Sequence, residues 1–447
     1  MRRNSAIYVL LMTALASILI LFESALPQPI AASFASSALL SICIGALAFH
    51  LLSTRSSPYT ILFTFTLVFY VLGLLPITSR RNYIDSGFWT ALLITSLAAM
   101  LAGSWLAKAT ARKREHHSIA AISKFRTLTI YGASLAAAIY IVSTAGLLLF
   151  KPEARFSVGS TWVYLVEFSI AATICIVSER FVSSRPIGKL MPIAIAAQSV
   201  MLLAIGYRNQ LALLWLGIGL IYLFTKASKL RSKSIFVKSA AAAFAALLLM
   251  SALLYARIEF SGDSIISWNA RIDQFDIVLA DYMLPVLSIH DASRETMGVA
   301  QIAIDRIGDI QQSTSNVGFF FMDMMTLLPG HSETATALLG QVVGNSDEMY
   351  LVPGLIGALY ISFGIVGVIA FYALAGFALQ RLWISYQRSG NAKTFSLAIV
   401  AVIYLIQMTY RGIPKPMYIA AAVIVIYCFG SSRKISAQGS TEASGEK

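Results

Sequence analysis

LVPGLIGALYISFGIVGVIAFYALAGFAL, residues 351–379, runs for 29 residues without a charged side chain. As a helix rising 1.5 Å per residue it would extend about 44 Å, more than the roughly 30 Å of hydrocarbon in a bilayer. A membrane-spanning helix is therefore expected here. The stretch before it has the opposite character. Ala256–Tyr350 holds thirteen Asp and Glu, four Arg (Arg257, Arg271, Arg294, Arg306) and no Lys, a formal charge of −9 in a chain whose total is +13. It also carries two of the five His, His290 and His331. With the apolar run Ile235–Tyr255 on its other side, this 95-residue segment reads as a loop between two spans. Chemistry on a polar substrate belongs in it or at the helix ends around it.

The rest of the chain agrees with a membrane solvent. Mean hydropathy is +0.74, 57% of residues are hydrophobic and only 12% are charged, too few for a water-facing surface. Apolar runs fall at Ile7–Phe22, Ala32–Leu52, Pro58–Ile77, Phe88–Ala107, Thr129–Phe150 and Thr161–Val177. Others fall at Leu190–Gly206, Gln210–Thr225, Ile235–Tyr255, Leu351–Leu379, Phe395–Tyr410 and Met417–Gly430. The expected fold is an all-α polytopic membrane protein of about twelve transmembrane helices. Its organisation is helices 1–9 over 1–255, the loop over 256–350, helices 10–12 over 351–430 and a disordered tail over 431–447. The three Cys (Cys43, Cys175, Cys428) all lie in apolar runs, which points to neither disulfides nor a metal site.

Orientation follows from Lys and Arg in alternate connections. One side collects 23 of them and the other 11, so the first is expected to be cytoplasmic, with both termini, and the long loop external. The basic pI of 9.6 is thereby a topology signal rather than a sign of nucleic acid. The external set is nine Arg to two Lys, against twelve to eleven inside. Topology needs only positive charge. An Arg excess adds planar forks that grip phosphate or carboxylate through two bonds. An acidic or phosphorylated ligand on the outer face is one reading; pairing with the loop's own acids is the other.

Inside the loop, Ser267–Val286 reads as a helix broken by Pro285. Thr296–Gln311 reads as an amphipathic helix that packs on its neighbours or lies on the membrane, with Met297, Val299, Ile302, Ile304, Ile307 and Ile310 along one side. Asn316–Leu328 (NVGFFFMDMMTLL) is too short to span and too apolar for water, so it is expected to dip into the interface. His331, Ser332 and Glu333 then open another short helix.

Two short external turns carry Arg. Gly206-Tyr207-Arg208-Asn209-Gln210 is so brief that Arg208 must sit at or just below the interface, where a charge marks either function or a snorkelling anchor. Tyr410-Arg411-Gly412-Ile413-Pro414-Lys415-Pro416 is a similar turn stiffened by proline. Glu167 lies inside an apolar run, facing other helices. His331 exchanges protons near neutral pH and is a candidate base, with Glu333, Asp347 and Glu348 as competitors. No Walker A, GxSxG, HExxH or Asp-x-Asp pattern is present, so neither metal nor other cofactor is expected.

The overall plan and two local stretches resemble the Wzy-type family of O-antigen and exopolysaccharide repeat-unit polymerases. One is Pro353–Gly367, whose small residues and Tyr360 lead into Phe363-Gly364-Ile365-Val366-Gly367. The other is the Gly206–Gln210 turn, with Arg208 and Gly219 at the family's Arg-x10-Gly spacing. O-antigen ligases share the plan, and His331-Ser332 is similar to their His-polar start, but the glycine spacing after it differs. The resemblance implies a GT-C-like fold in a bacterial inner membrane. Its donor and acceptor glycans would be linked to undecaprenyl diphosphate, with membrane lipids and a chain-length regulator as partners. It further implies metal-independent inverting transfer. Arg208, Arg271 and His331 would be catalytic, and Tyr207, Arg257, Arg294, Glu333 and Arg411 would bind substrate. A flippase for the same lipids is the competing class, but it has no need of so long a polar loop.

Overall fold

Apolar runs in a low-dielectric solvent have one way to satisfy every backbone N–H and C=O within a segment, the α-helix. The computed structural model of the chain is accordingly almost wholly helical. It describes residues 57–74, 83–111, 118–119, 121–148, 158–185, 188, 190–206, 208–226, 284–326, 333–344, 350–429 and 433–434. In chain order the helices are α1 Pro58–Leu74, α2 Ser86–Ala109, α3 Lys124–Ala145, α4 Ser160–Val182, α5 Leu190–Ala204, α6 Arg208–Lys226 and α7 Leu284–Asp305. They continue with α8 Ile307–Ser313, α9 Asn316–Met325, α10 Ala335–Gly344, α11 Gly354–Ser389, α12 Ala392–Arg411 and α13 Pro416–Cys428. Nine expected spans fall on α1–α6 and α11–α13; the other three lie outside the described residues. Among the described residues five helices, α2, α3, α4, α11 and α12, are long and apolar enough to cross a membrane. The only strands there are two residues each, Ser118–Ile119 (β1) paired antiparallel with Arg433–Lys434 (β2), at the start of the expected tail.

The described chain divides into two compact units. The first holds α1, most of α2, all of α7–α10, α11 as far as Leu379, and the chain from Val402 to Tyr418. Here the loop differs from its sequence reading. Pro285 does not end a helix; it lies within α7, while residues 267–283 of the expected helix lie outside the described residues. The helix then runs unbroken past Thr296 to Asp305, and its polar face is in the core: His290, Ser293, Arg294 and Thr296 are all buried. A side chain on Gly73 of α1 would collide with Ser293 and Met297, and one on Gly357 would collide with Ala300. Trp89 Nε1 of α2 donates to Gln301 Oε1 at 3.1 Å. Of the two possibilities for this amphipathic helix, packing against its neighbours is the one found.

The uncharged stretch that opened the sequence reading is also not one straight helix. Gly364 has φ 63° and ψ −162°, which splits α11 into a ten-residue half-helix, Gly354–Phe363, and a longer continuation to Ser389. The half-helix is buried almost all round, whereas Ile365, Val366, Ile369 and Leu374 just after the break are exposed. That division matches the rule that non-helical backbone at membrane depth needs protein around it. Phe320 of α9 touches α11 on both sides of the break, its ring 5.4 Å from Phe363 and 6.4 Å from Phe371. Below it α11 closes on α2 through small residues, Gly103 against Ala373 and Gly376 against Met100.

The second unit holds α3–α6, the ends of α11 and α12, most of α13 and the β pair. Its helices are joined by buried polar side chains. The Tyr131 hydroxyl is bonded to Thr173, Thr173 Oγ1 donates to Gln198 Oε1 (2.6 Å), and Gln198 Nε2 donates to Ser169 Oγ (2.8 Å). Glu167, a carboxylate inside α4, accepts from Gln210 Nε2. Cys175 and Cys428 are buried free thiols.

Candidate functional site

The first unit brings three loop elements together around the turn between α12 and α13. Gly412 ends α12, its N–H donating to the Met408 carbonyl at 2.7 Å. At φ 90° it occupies left-handed space that side chains avoid, and an added Cβ would lie 2.6 Å from the Gly354 carbonyl oxygen. Gly354 is itself at φ 62°, and a Cβ there would lie 2.8 Å from the Tyr70 hydroxyl. Two glycines thus let the turn sit directly on the start of α11. Tyr70 ties the elements together: its hydroxyl accepts from Ile356 N (3.1 Å) and donates to the Thr409 carbonyl (3.3 Å).

This seating fixes the backbone that carries Arg411 and Lys415. Their charges act on a residue that the sequence reading passed over, Asp323 of α9. Only 5% of it is exposed, and its Oδ1 accepts from Ala335 N, the first residue of α10, at 3.0 Å. Burial raises the Asp323 carboxyl above its ordinary value. Lys415, the Ala335 N–H and Arg411 pull it partly back. The turn therefore carries two cations whose charge reaches one buried carboxyl. Such a pair of cations can hold a phosphate or diphosphate without a metal.

Of the residues expected to act, Arg411 lies in this cluster, its guanidinium 6.0 Å from the Tyr410 ring. Glu333 is exposed, two residues before the Ala335 N–H that Asp323 accepts from. Arg294 is buried in α7 and donates from Nη1 to the Gly73 carbonyl of α1 at 3.2 Å. Arg208 opens α6 in the second unit. The turn before it is pinned on both sides. Gly206, at φ 72°, has the Leu148 carbonyl oxygen 3.0 Å from where its Cβ would be, and Gln210 is bonded to Glu167. Tyr207, Arg257, Arg271 and His331 lie outside the described residues. Asp323 did leave a signal, as the only charge in the apolar run Asn316–Leu328. Among the described residues no group of three or more His, Cys, Asp and Glu could hold a metal ion. Compared with known proteins, the chain matches no family model, no curated protein and no solved structure.

Proposed function

We propose that the protein is a membrane glycosyltransferase that joins undecaprenyl-diphosphate-linked oligosaccharide repeat units into O-antigen or exopolysaccharide. The observation that carries the reading is the pair Arg411 and Lys415, held on a turn that Gly412 seats against Gly354 and that Pro414 and Pro416 stiffen. The resemblance of Pro353–Gly367 and Gly206–Gln210 to the Wzy-type polymerases supports it from the sequence side. In this reading the fold is GT-C-like, with twelve spans in a bacterial inner membrane. Both termini are cytoplasmic and the 256–350 segment is periplasmic.

The reaction is a single displacement with inversion. An acceptor hydroxyl oxygen attacks the anomeric carbon of the donor, the bond from that carbon to the diphosphate oxygen breaks, and prenyl diphosphate leaves with the electron pair. The hydroxyl proton goes to a base, for which His331 is first in line and Glu333 second. Arg411 and Lys415 stabilise the growing negative charge on the leaving diphosphate, with Arg208, Arg257 and Arg271 as further contacts. A chain-length regulator is the expected protein partner.

The test is complementation of a strain lacking the gene with Arg411→Ala and Lys415→Ala variants. Single repeat units should be exported while protein abundance stays normal. Repeats trapped in the cytoplasm would identify a flippase instead. Full-length polymer left unattached to its final acceptor would identify a ligase.

A further inference from the structure

The helix α9 belongs to a segment that carries thirteen acids, yet the side it turns outward is apolar. Val317, Phe321 and Met325, spaced four residues apart and so in one row along the helix, are 41% to 54% exposed. Phe319, Phe320 and Asp323 on the opposite side are buried, and Asp323 is bonded there to Ala335 N of α10. The helix just before it does the reverse. In α8 the exposed positions are Gly308, Asp309, Gln311, Gln312 and Ser313, while the apolar Ile310 is buried. The outward surface therefore changes from polar to apolar between Ser313 and Val317, across a turn where Gly318 N donates to Ser315 Oγ at 3.0 Å.

The position of α9 says what covers its outer face. Phe320 holds it against α11 on both sides of the break, at Phe363 and at Phe371. The exposed surface of α11 starts immediately after the break, with Ile365, Val366 and Ile369. Phe371 lies seven residues past Gly364, about 10 Å further along. The helix α9 thus lies alongside the outward-facing apolar turns of a helix long and apolar enough to cross a membrane. We propose that Val317, Phe321 and Met325 continue the lipid-facing surface of α11, so that α9 is embedded in the bilayer as a re-entrant helix and acyl chains are the partner of its outer face. An α9 standing in water would bring that water to Ile365, Val366 and Ile369 as well, which offer it nothing to bond. Hydrocarbon also requires the ends of a short helix to be satisfied by protein, and α9 has such bonds at both. Ser315 supplies one, and at the other end Thr326 Oγ1 donates to the Asp323 carbonyl at 2.8 Å. The inference is independent of the reaction proposed above: it makes part of the long polar segment a membrane element rather than a cap held clear of the bilayer.

The test places spin labels on the full chain in phosphatidylcholine nanodiscs, in a background where Cys43→Ala, Cys175→Ala and Cys428→Ala remove the native thiols. Labels at Phe321→Cys and, separately, at Val317→Cys are compared with Ile369→Cys on α11 and Gln312→Cys on α8. Collision is measured with oxygen, which dissolves in hydrocarbon, and with a neutral nickel chelate, which stays in water. Both α9 labels should behave like Ile369→Cys, with nickel collision about tenfold or more below that at Gln312→Cys, because a polar solute is excluded from hydrocarbon. Nickel collision at the Gln312→Cys level would put the row in water and overturn the inference. Exclusion of both reagents would put protein against it, such as a second copy of the chain, and would overturn it equally. Should the thiol-free background fail to fold, Phe321→Trp in the otherwise native chain decides the matter. Phosphatidylcholine brominated along its acyl chains should quench the added fluorescence, and unquenched emission would sink the proposal. None of these outcomes bears on the export assay with Arg411→Ala and Lys415→Ala, so the two readings stand or fall separately.

Discussion

Replacing Gly412 by Ala should disconnect the cationic turn from the start of α11. Two effects combine. At φ 90° an Ala backbone is strained by about 1–2 kcal/mol relative to Gly. Its Cβ would also stand 2.6 Å from a backbone oxygen, that of Gly354, which has no rotamer to move into. Relieving such overpacking costs about 1–3 kcal/mol in a closed core. The sum is about 2–5 kcal/mol, part of which the turn recovers by lifting off Gly354 and carrying Arg411 and Lys415 with it. Gly390→Ala supplies the control. That glycine is also in the left-handed region, at φ 61°, but nothing lies within 4 Å of its Cβ position. It should show the backbone strain alone. Thermal unfolding of the purified variants in one detergent gives the comparison, and polymer length in the complemented strain gives the functional consequence. Gly412→Ala should melt clearly below Gly390→Ala and export mostly single repeats. Equal melting of the two variants would refute the close seating of the turn on α11.

Three further outcomes are expected. Arg208→Lys keeps charge and interfacial anchoring but loses the two-pronged grip; if Arg208 holds a diphosphate, turnover on lipid-linked repeats should fall on the order of thirty- to a thousandfold at normal abundance, whereas a mere anchor would tolerate Lys. Asp323→Asn should raise the melting temperature at pH 7. Burial lifts the Asp323 carboxyl above its ordinary 3.8, so the ionised form is penalised in the folded protein; that penalty is full above the folded value and gone below 3.8, and the two proteins should converge as the pH is lowered through that window. Finally, a reporter fused after Ser313 should register the periplasmic side and one after Arg126 the cytoplasm; a cytoplasmic signal at Ser313 would reverse the orientation and remove the case for chemistry on the outer face.

The sequence made the spans legible because membrane burial writes a long, one-sided signal. Nine apolar runs fall on helices with ends mostly within a few residues of those expected. What it hid are features set by non-local contact. Phe363-Gly364-Ile365 looks like ordinary hydrocarbon-facing sequence, yet Gly364 breaks the helix next to Phe363, whose ring meets Phe320 from more than forty residues earlier. Pro285 looks like a helix end, yet α7 continues past it to Asp305, packed on Gly73 of α1. The apolar side of α7 was readable, but not that Gly73 makes room for Met297 and Gly357 for Ala300. Arg411 was visible as an Arg in a tight turn. Asp323 was masked by the apolar residues around it, and the cations that act on it lie about ninety residues further along the chain. Arg294, expected among ligand contacts, has the Gly73 carbonyl as a partner that no spacing rule would supply.

Both compact units are assembled from three separated pieces of chain, and α11 and α12 each begin in one unit and finish in the other. This fixes an order of events during synthesis. The first unit includes residues before Ala107 and cannot close until Tyr418 has emerged, some 310 positions later. At roughly 5–20 residues per second the early helices wait about 15–60 s in the bilayer for their final partners. Until α7 and α11 have followed, the surfaces of α1 and α2 that receive them face lipid or an insertion chaperone. Truncations that end before α12 should therefore be cleared by membrane proteases rather than persist as stable fragments.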